Sequence, residues 1–348
     1  MEYDYLVVGQ GIAGTMLSYS LLQAGQRVLV IDAYKPNSAS RIAAGVINPV
    51  SGRRFEMAWL YNELYPFAKQ TYTQMGQLLG VPAFTERDIW MALPSEQLRT
   101  AFNNKTTQGP ARQYTCPADA ALMDAWLQQP FGAAIVKGAT VLLHHLLPAW
   151  RRYLAERELL LETQLHPAAL LHNAAGVQYR RLRARAIIFC EGAQIIHNPW
   201  FTQIPFLLNK GEVLQVRVPG LQTENILKKS ITLVPQAPEV FWAGSTFVWD
   251  YTDEAPTPEK RAFLEQGIQQ MLKVPYTVLN QQAGIRPSGK DRRPIMGLHP
   301  QHPALGLFNG LGTKGCSLAP YMAHLLTMHL LQGAPLPPET DIKRYFNR

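Results

Sequence analysis

Three glycines and one acid near the start of the chain have the types and spacing to do chemistry. In DYLVVGQGIAG, Gly9, Gly11 and Gly14 follow the apolar run 5–8 at G-x-G-x-x-G spacing. Gly9 permits a tight turn, Gly11 leaves room for a pyrophosphate, and Gly14 lets the next helix close on the sheet. The N-terminus of that helix adds free N–H groups and a partial positive charge. Asp32 ends the next apolar run, RVLVID, 21 residues after Gly11. That is near the ~20 residues expected of an acid that hydrogen-bonds a ribose hydroxyl. Strand, helix, second strand and acid together predict a dinucleotide site. They do not choose between FAD and NAD.

A second turn repeats the logic near the other end. GLFNGLGTKGCSLAP is an apolar strand, then Gly310, Gly312 and Gly315, then a long helix. It aims another helix N-terminus at something electron-rich. A nicotinamide has no obvious need of this. A flavin does, because its reduction puts negative charge on the N1/C2=O edge, and Lys314 would add to the effect. The bland alternative is an ordinary strand–turn–helix connection.

Both turns need a scaffold. At 348 residues the chain suits about two domains, and 47% hydrophobic with 17% charged residues is a folded composition. Helices are expected over 57–80, 146–157 and 257–272. The aromatics of the first (Trp59, Tyr61, Tyr65, Phe67, Tyr72) read better as core than as substrate contacts. Strands are expected at RDIWMALP, LLLETQL, GVQYRRL and RAIIFCEGA, the last buried in a parallel sheet. Alternating stretches within 211–249 predict an antiparallel sheet. AGIRPSGKDRRPIMG (283–297) reads as a loop.

The net charge of +8 either keeps the surface solvated or attracts an acidic partner: a dinucleotide, a carboxylate or RNA. In the basic run YRRLRARA the arginines alternate like one solvated strand face. Cys116, Cys190 and Cys316 are odd in number and match no metal-ligand spacing, which predicts reduced thiols and no metal. No basic region precedes the first apolar run and no apolar stretch reaches spanning length, so a cytoplasmic location without a membrane span is expected. His144, His145, His299 and His302 read as turn and surface residues.

Taken in order, GxGxxG…D, SASRIAAG (38–45), IIFCEGA (187–193), KGEVLQV (210–216), AGIRPSGKDRRPIMG and FNGLGTKG…AP (308–320) resemble the FAD-dependent D-amino-acid oxidase superfamily, especially its glycine oxidase and sarcosine oxidase branch. The resemblance runs nearly the whole length. It implies an α/β fold: a Rossmann-type FAD-binding domain (1–50, 138–200 and 284–348) interleaved with an antiparallel-sheet substrate domain (51–137 and 201–283).

It also implies roles. Gly9, Gly11, Ile12, Ala13, Gly14, Asp32 and Ala33 would hold the ADP half of FAD, with Leu165 at the adenine. Ser40, Arg41, Ala44 and Gly45 would run beside the pyrophosphate and flavin, and Glu191 and Gly192 near the ribityl chain. Gly310, Leu311, Gly312, Thr313, Lys314, Gly315 and Cys316 would lie at the pyrimidine end. Arg286 would border the flavin and anchor the substrate carboxylate, since a guanidinium fork matches a carboxylate bidentately. Thr232, Asn48 and Phe247 would complete the substrate site.

Some positions differ from the family pattern. Thr232 stands where glycine oxidases often carry tyrosine, and Leu311 where a histidine is usual. Cys316 is not in the setting of a flavin-tethering cysteine, so FAD is expected without a covalent link. The implied reaction is oxidation of an amine α to a carboxylate, with hydride transfer to flavin N5 and hydrolysis of the resulting imine. It demands orientation more than a protein acid or base. Two other readings stand beside it. One is action on carboxymethylaminomethyl-uridine of tRNA, because the chain is also similar to the FAD domain of the bifunctional enzyme that matures that base. The other is a non-catalytic flavoprotein or NAD-binding module.

Overall fold

The computed structural model describes residues 1–51 and 55–346. Its first sheet runs Leu160–Leu161, Val28–Ile31, Glu2–Val8, Leu182–Phe189 and His302–Asn309, all parallel. Gly176–Tyr179 pairs antiparallel with Leu182–Phe189, and Ile295–His299 with His302–Asn309. Val28, Leu29, Val30 and Ile31 are all buried. Such a run without alternation is what a parallel strand covered on both faces requires.

On one face lie the helices Ile12–Gln23, Leu143–Glu156 and Gly315–Gln332. Their Met16, Leu17, Trp150 and Met322 share a core with Val7, Val30 and Phe308. The Trp150 indole donates to Ser18 Oγ at 3.0 Å inside that core. The opposite face packs Leu6, Leu29 and Phe189 against Phe201 and Leu305.

The second sheet is ordered Thr277–Ser288, Leu207–Arg217, Val240–Gly244, Thr232–Ala237, Ile226–Lys228, Phe84–Ala92, Ala133–Val141, Val46–Ile47, with Thr115–Pro117 beside Ala133–Val141. All its pairings are antiparallel except Ile226–Lys228 with Phe84–Ala92. Leu214, Val216, Leu233 and Phe241 pack on Leu264 and Ile268 of the helix Pro258–Gln269. The fold is therefore mixed α/β: a Rossmann-like parallel sheet and an antiparallel sheet, as the sequence predicts.

Several expectations shift. The first expected helix is Tyr61–Leu79; Tyr61 and Tyr72 are buried on it, in keeping with a core role, and Trp59 precedes it. LLLETQL contributes only Leu160–Leu161 to a sheet. Residues 283–288 are not loop but the end of the twelve-residue strand Thr277–Ser288, which pairs with Leu207–Arg217 along its length. The Gly and Pro there suggest a break; the partner strand supplies the ladder, and Pro287 falls near the strand end, where a missing N–H is tolerated. His144 and His145 are exposed but helical. His299 is not at the surface: it is 3% exposed, its Nδ1 accepts the Gln301 and His302 N–H groups, and its ring packs on Phe201 and Phe346. No helix among the described residues is long and apolar enough to cross a membrane.

Candidate active site

One cavity of about 900 Å³ opens beyond the carboxyl ends of the parallel strands and is walled on its other side by the antiparallel sheet. A crevice at strand carboxyl ends is where open α/β sheets bind ligands. The volume lies at the upper end for ligand sites. Both glycine turns reach it. Gly9, Gly11, Ile12, Ala13, Asp32 and Ala33 line it from the first, and Leu311, Gly312, Thr313, Gly315 and Cys316 from the second. Ser40, Arg41, Ala44, Gly45, Leu165, Glu191 and Gly192 lie between, and Asn48, Thr232, Phe247 and Arg286 line it from the other side.

Gly14, Gly310 and Lys314 are not among the lining residues. Gly14 acts behind the wall: a Cβ there would sit 1.8 Å from the Gly9 carbonyl oxygen, so only glycine lets helix and turn cross. Asn309 holds the second turn in place, donating to the Gly192 carbonyl at 3.0 Å and accepting from the Gly310 N–H at 2.8 Å.

Neither helix N-terminus at the cavity has a side-chain cap or an acid in its first turn. The Ile12 N–H is taken by Ser40 Oγ at 3.0 Å. Both ends thus keep donors and partial positive charge directed toward the cavity. Asp32 accepts from the Gln10 and Tyr34 N–H groups at 2.8 and 2.9 Å and pairs with Arg151 at 2.6 Å. A carboxylate has about four acceptor sites, so one remains for a ligand hydroxyl. Arg41 donates to Gln10 Oε1 at 3.0 Å, and burial lowers its pKa. Burial pushes the Glu191 carboxyl up to about 7, opposed by a hydrogen bond from Asn198.

Arg286 occupies the antiparallel wall. Its Nη1 donates to Asn209 Oδ1 at 3.1 Å and to the Thr246 carbonyl at 3.2 Å, and its Nη2 to Ser245 Oγ at 2.9 Å. The Phe247 ring centroid is 5.0 Å from the guanidinium carbon. All of these partners are neutral. Asp291, the nearby acid in sequence, pairs with Arg344 instead. Among the described residues no carboxylate forms an ion pair with Arg286, and burial alone pushes its pKa down to about 10. A half-buried, uncompensated guanidinium facing a cavity has the chemistry to receive an anion.

The sequence reading missed Asn209, Gly211, Ser245 and Asn309. KGEVLQV proves to be the foundation of the arginine pocket. A Cβ on Gly211 would meet Arg286 Nη2 at 2.0 Å, so this glycine makes the space the guanidinium fills. Its neighbours tie this strand to residues 246–257 and to Gln281. Glu212 accepts from Thr257 and Gln281, its backbone bonds Thr246 in both directions, and Lys210 donates to the Ala255 carbonyl. The available signal was a glycine interrupting an otherwise alternating strand, which marks close approach.

Fold and cavity are those of a Rossmann-like sheet joined to an antiparallel sheet, with the cavity between them. The family model described as FAD dependent oxidoreductase (DAO) matches residues 4–328, and the chain belongs to that family. It is an FAD-dependent oxidoreductase. Over 371 aligned positions it is 26% identical to the tRNA 5-methylaminomethyl-2-thiouridine biosynthesis bifunctional protein MnmC of Hahella chejuensis, covering 97% of this chain and 58% of that one. The chain thus spans little more than half the length of that curated relative. Among solved structures it is similar to iminodiacetate oxidase from Chelativorans sp. BNC1 (TM-score 0.80, 21% identity, 98% of each chain). It is also similar to glycine oxidase from Geobacillus kaustophilus (TM-score 0.77, 18% identity, 96% of each chain). The residues present suit FAD: an extended cavity, two uncapped helix N-termini on it, and a cradle behind Gly9 that a Cβ at Gly14 would fill.

Proposed function

We propose that the protein oxidises the C–N bond of an amino acid or secondary amine that carries a carboxylate. The observation that supports this best is the half-buried Arg286 guanidinium, held by neutral partners and forming no ion pair among the described residues. Asn209, Ser245 and Thr246 fix the plane of the fork, so a bound carboxylate is oriented as well as attracted. The Phe247 ring, its centroid 5.0 Å from the guanidinium carbon, adds a cation–π contact beside it. Orientation of this kind is a large part of the barrier for chemistry that uses no protein acid or base.

On this reading Gly9, Gly11, Ile12, Ala13, Asp32, Ala33 and Leu165 hold the ADP half of FAD, with Gly14 supporting the turn from behind. Ser40, Arg41, Ala44, Gly45, Glu191 and Gly192 run along its middle, and Leu311, Gly312, Thr313, Gly315 and Cys316 meet the pyrimidine edge. The cofactor unit is 1–50, 138–200 and 284–348, and the substrate unit is 51–137 and 201–283. FAD, when bound, supplies the hydride acceptor at N5, and water hydrolyses the imine that remains. The link is non-covalent. The Cys316 thiol is buried and pushed up to about 12, and burial raises the Cys190 thiol too, so both cavity cysteines stay protonated.

An anaerobic screen tests the reading: glycine, sarcosine, proline or a D-amino acid should bleach the flavin. Arg286→Ala should lower kcat/KM by about 10²-fold or more and leave the flavin spectrum intact. Loss of FAD from that variant would make Arg286 structural.

A second reading, action on carboxymethylaminomethyl-uridine of tRNA, is favoured by the similarity to MnmC along nearly the whole chain. It is also favoured by Phe247 and Trp249, 61% and 60% exposed in neighbouring positions on the segment that borders the cavity. Aromatic rings so placed can stack on a base. A gel shift of tRNA at ~150 mM salt supports it, and no shift counts against it.

A further inference from the structure

The cavity that contains Arg286 holds a second cation without a counter-charge. Lys228 ends the short strand Ile226–Lys228. Ile226 and Lys228 both line the cavity, whereas Leu227 between them joins the core with Leu233 and Phe241. This is the two-residue alternation of a strand, and it turns Lys228 toward the ligand space.

The sheet register carries Lys228 toward Arg286. Lys228 lies opposite Thr232, and Thr232 opposite Gly244. The next residue, Ser245, accepts from Arg286 Nη2 at 2.9 Å. Two strand spacings, about 10 Å, therefore separate the Lys228 backbone from the residue before an arginine contact. A four-carbon lysine stem spans much of that distance. The Trp242 ring fills the side-chain space at Gly244, and Ser230, Thr232 and Trp242 line the cavity beside Lys228.

The carboxylates lining this cavity are engaged elsewhere. Asp32 pairs with Arg151, Glu254 with Lys35 and Asn37, and Glu191 accepts from Asn198. Lys228 makes no ion pair or side-chain hydrogen bond among the described residues, and burial alone lowers its pKa. Two half-buried cations facing one space are costly unless an anion meets each.

We propose that the substrate is a dicarboxylate: an amino acid or secondary amine whose first carboxylate meets Arg286 and whose second, at the far end of the molecule, meets Lys228. This rests on the carboxylate-anchor reading of Arg286. Lys228 is then a specificity-determining residue that selects diacids over monoacids.

The test uses the FAD-loaded protein and two ligands without an oxidisable amine, thiodiacetate (diacid) and methylthioacetate (monoacid). Their affinities are read by perturbation of the flavin spectrum and by calorimetry. Wild type should bind the diacid about 30-fold more tightly, the size of one charge-assisted contact. In Lys228→Met that ratio should fall to about threefold or less, and Lys228→Arg should restore most of it. The kcat/KM ratio of iminodiacetate to sarcosine should fall in parallel. Equal wild-type affinities, or a ratio unchanged in Lys228→Met, overturn this inference alone. Binding of neither acid by wild type overturns the Arg286 reading and this inference with it. The wild-type comparison decides the matter even if the variant does not fold.

Discussion

The two ends of the cavity are built on opposite principles. At the first glycine turn the groups offered to the cavity are backbone N–H donors and a helix end, placed by residues contiguous in sequence. At the Arg286 pocket they are side chains from three separated segments, near residues 209, 245 and 286, brought together by strand register. A backbone site tolerates most side-chain changes and fails when the chain path is blocked. A side-chain site tolerates changes of path elsewhere and fails when one atom is displaced. The same type of residue, glycine, therefore serves different ends: Gly14 protects a backbone crossing, and Gly211 protects the volume of a side chain.

That contrast can be broken by substitution. Gly14→Val should be the most damaging, because the Gly9 carbonyl it meets cannot swing aside. We expect a loss of more than about 4 kcal/mol, seen as insoluble or FAD-free protein. A variant that folds with full flavin would dissolve the distinction. Gly211→Ala should instead fold and retain the flavin spectrum, while kcat/KM for a carboxylate substrate falls about 10²-fold, as expected for an anchor displaced by about 1 Å. Loss of flavin here would mean the two regions are not separable.

A third outcome sharpens the electrostatic difference. Burial raises the Glu191 pKa from 4.5 to about 7. The folded state therefore binds more protons than the unfolded state between those values, and stability falls as pH rises through that window, then levels off. Thermal melts at pH 5 and pH 8 should show this fall in wild type and a smaller one in Glu191→Gln. Equal slopes would place the titration elsewhere. The smallest effect is expected from Phe247→Leu, which keeps apolar cover but removes the ring face from Arg286. KM should rise about threefold with kcat little changed, and a collapse of kcat would mean the ring does more than cover.

Legibility followed the same divide. The first βαβ unit could be read because its logic is local: three glycines, an apolar run and an acid at fixed offsets. The second turn was legible for the same reason, and the family through the order of six motifs along the chain. The Arg286 pocket was only half visible. Its arginine stood out in GIRP, but 283–297 looks like a loop because Gly and Pro weaken strand propensity, and only the partner Leu207–Arg217 overrides that. Asn209 and Ser245 carry no signal of their own, since their roles exist only once residues 209 and 286 face each other. His299 shows the converse: polar in sequence, it is buried because its ring nitrogen is satisfied by a turn.

The amino-acid sequence alone thus made the dinucleotide turn legible, because steric rules over a few consecutive residues specify it, and the family legible through motifs taken in order along the chain. Which cations share the cavity, and which of them lack a counter-charge, was decided only by the tertiary structure. Desolvation and pairing depend on neighbours in space, and strand register, not chain order, chooses those neighbours.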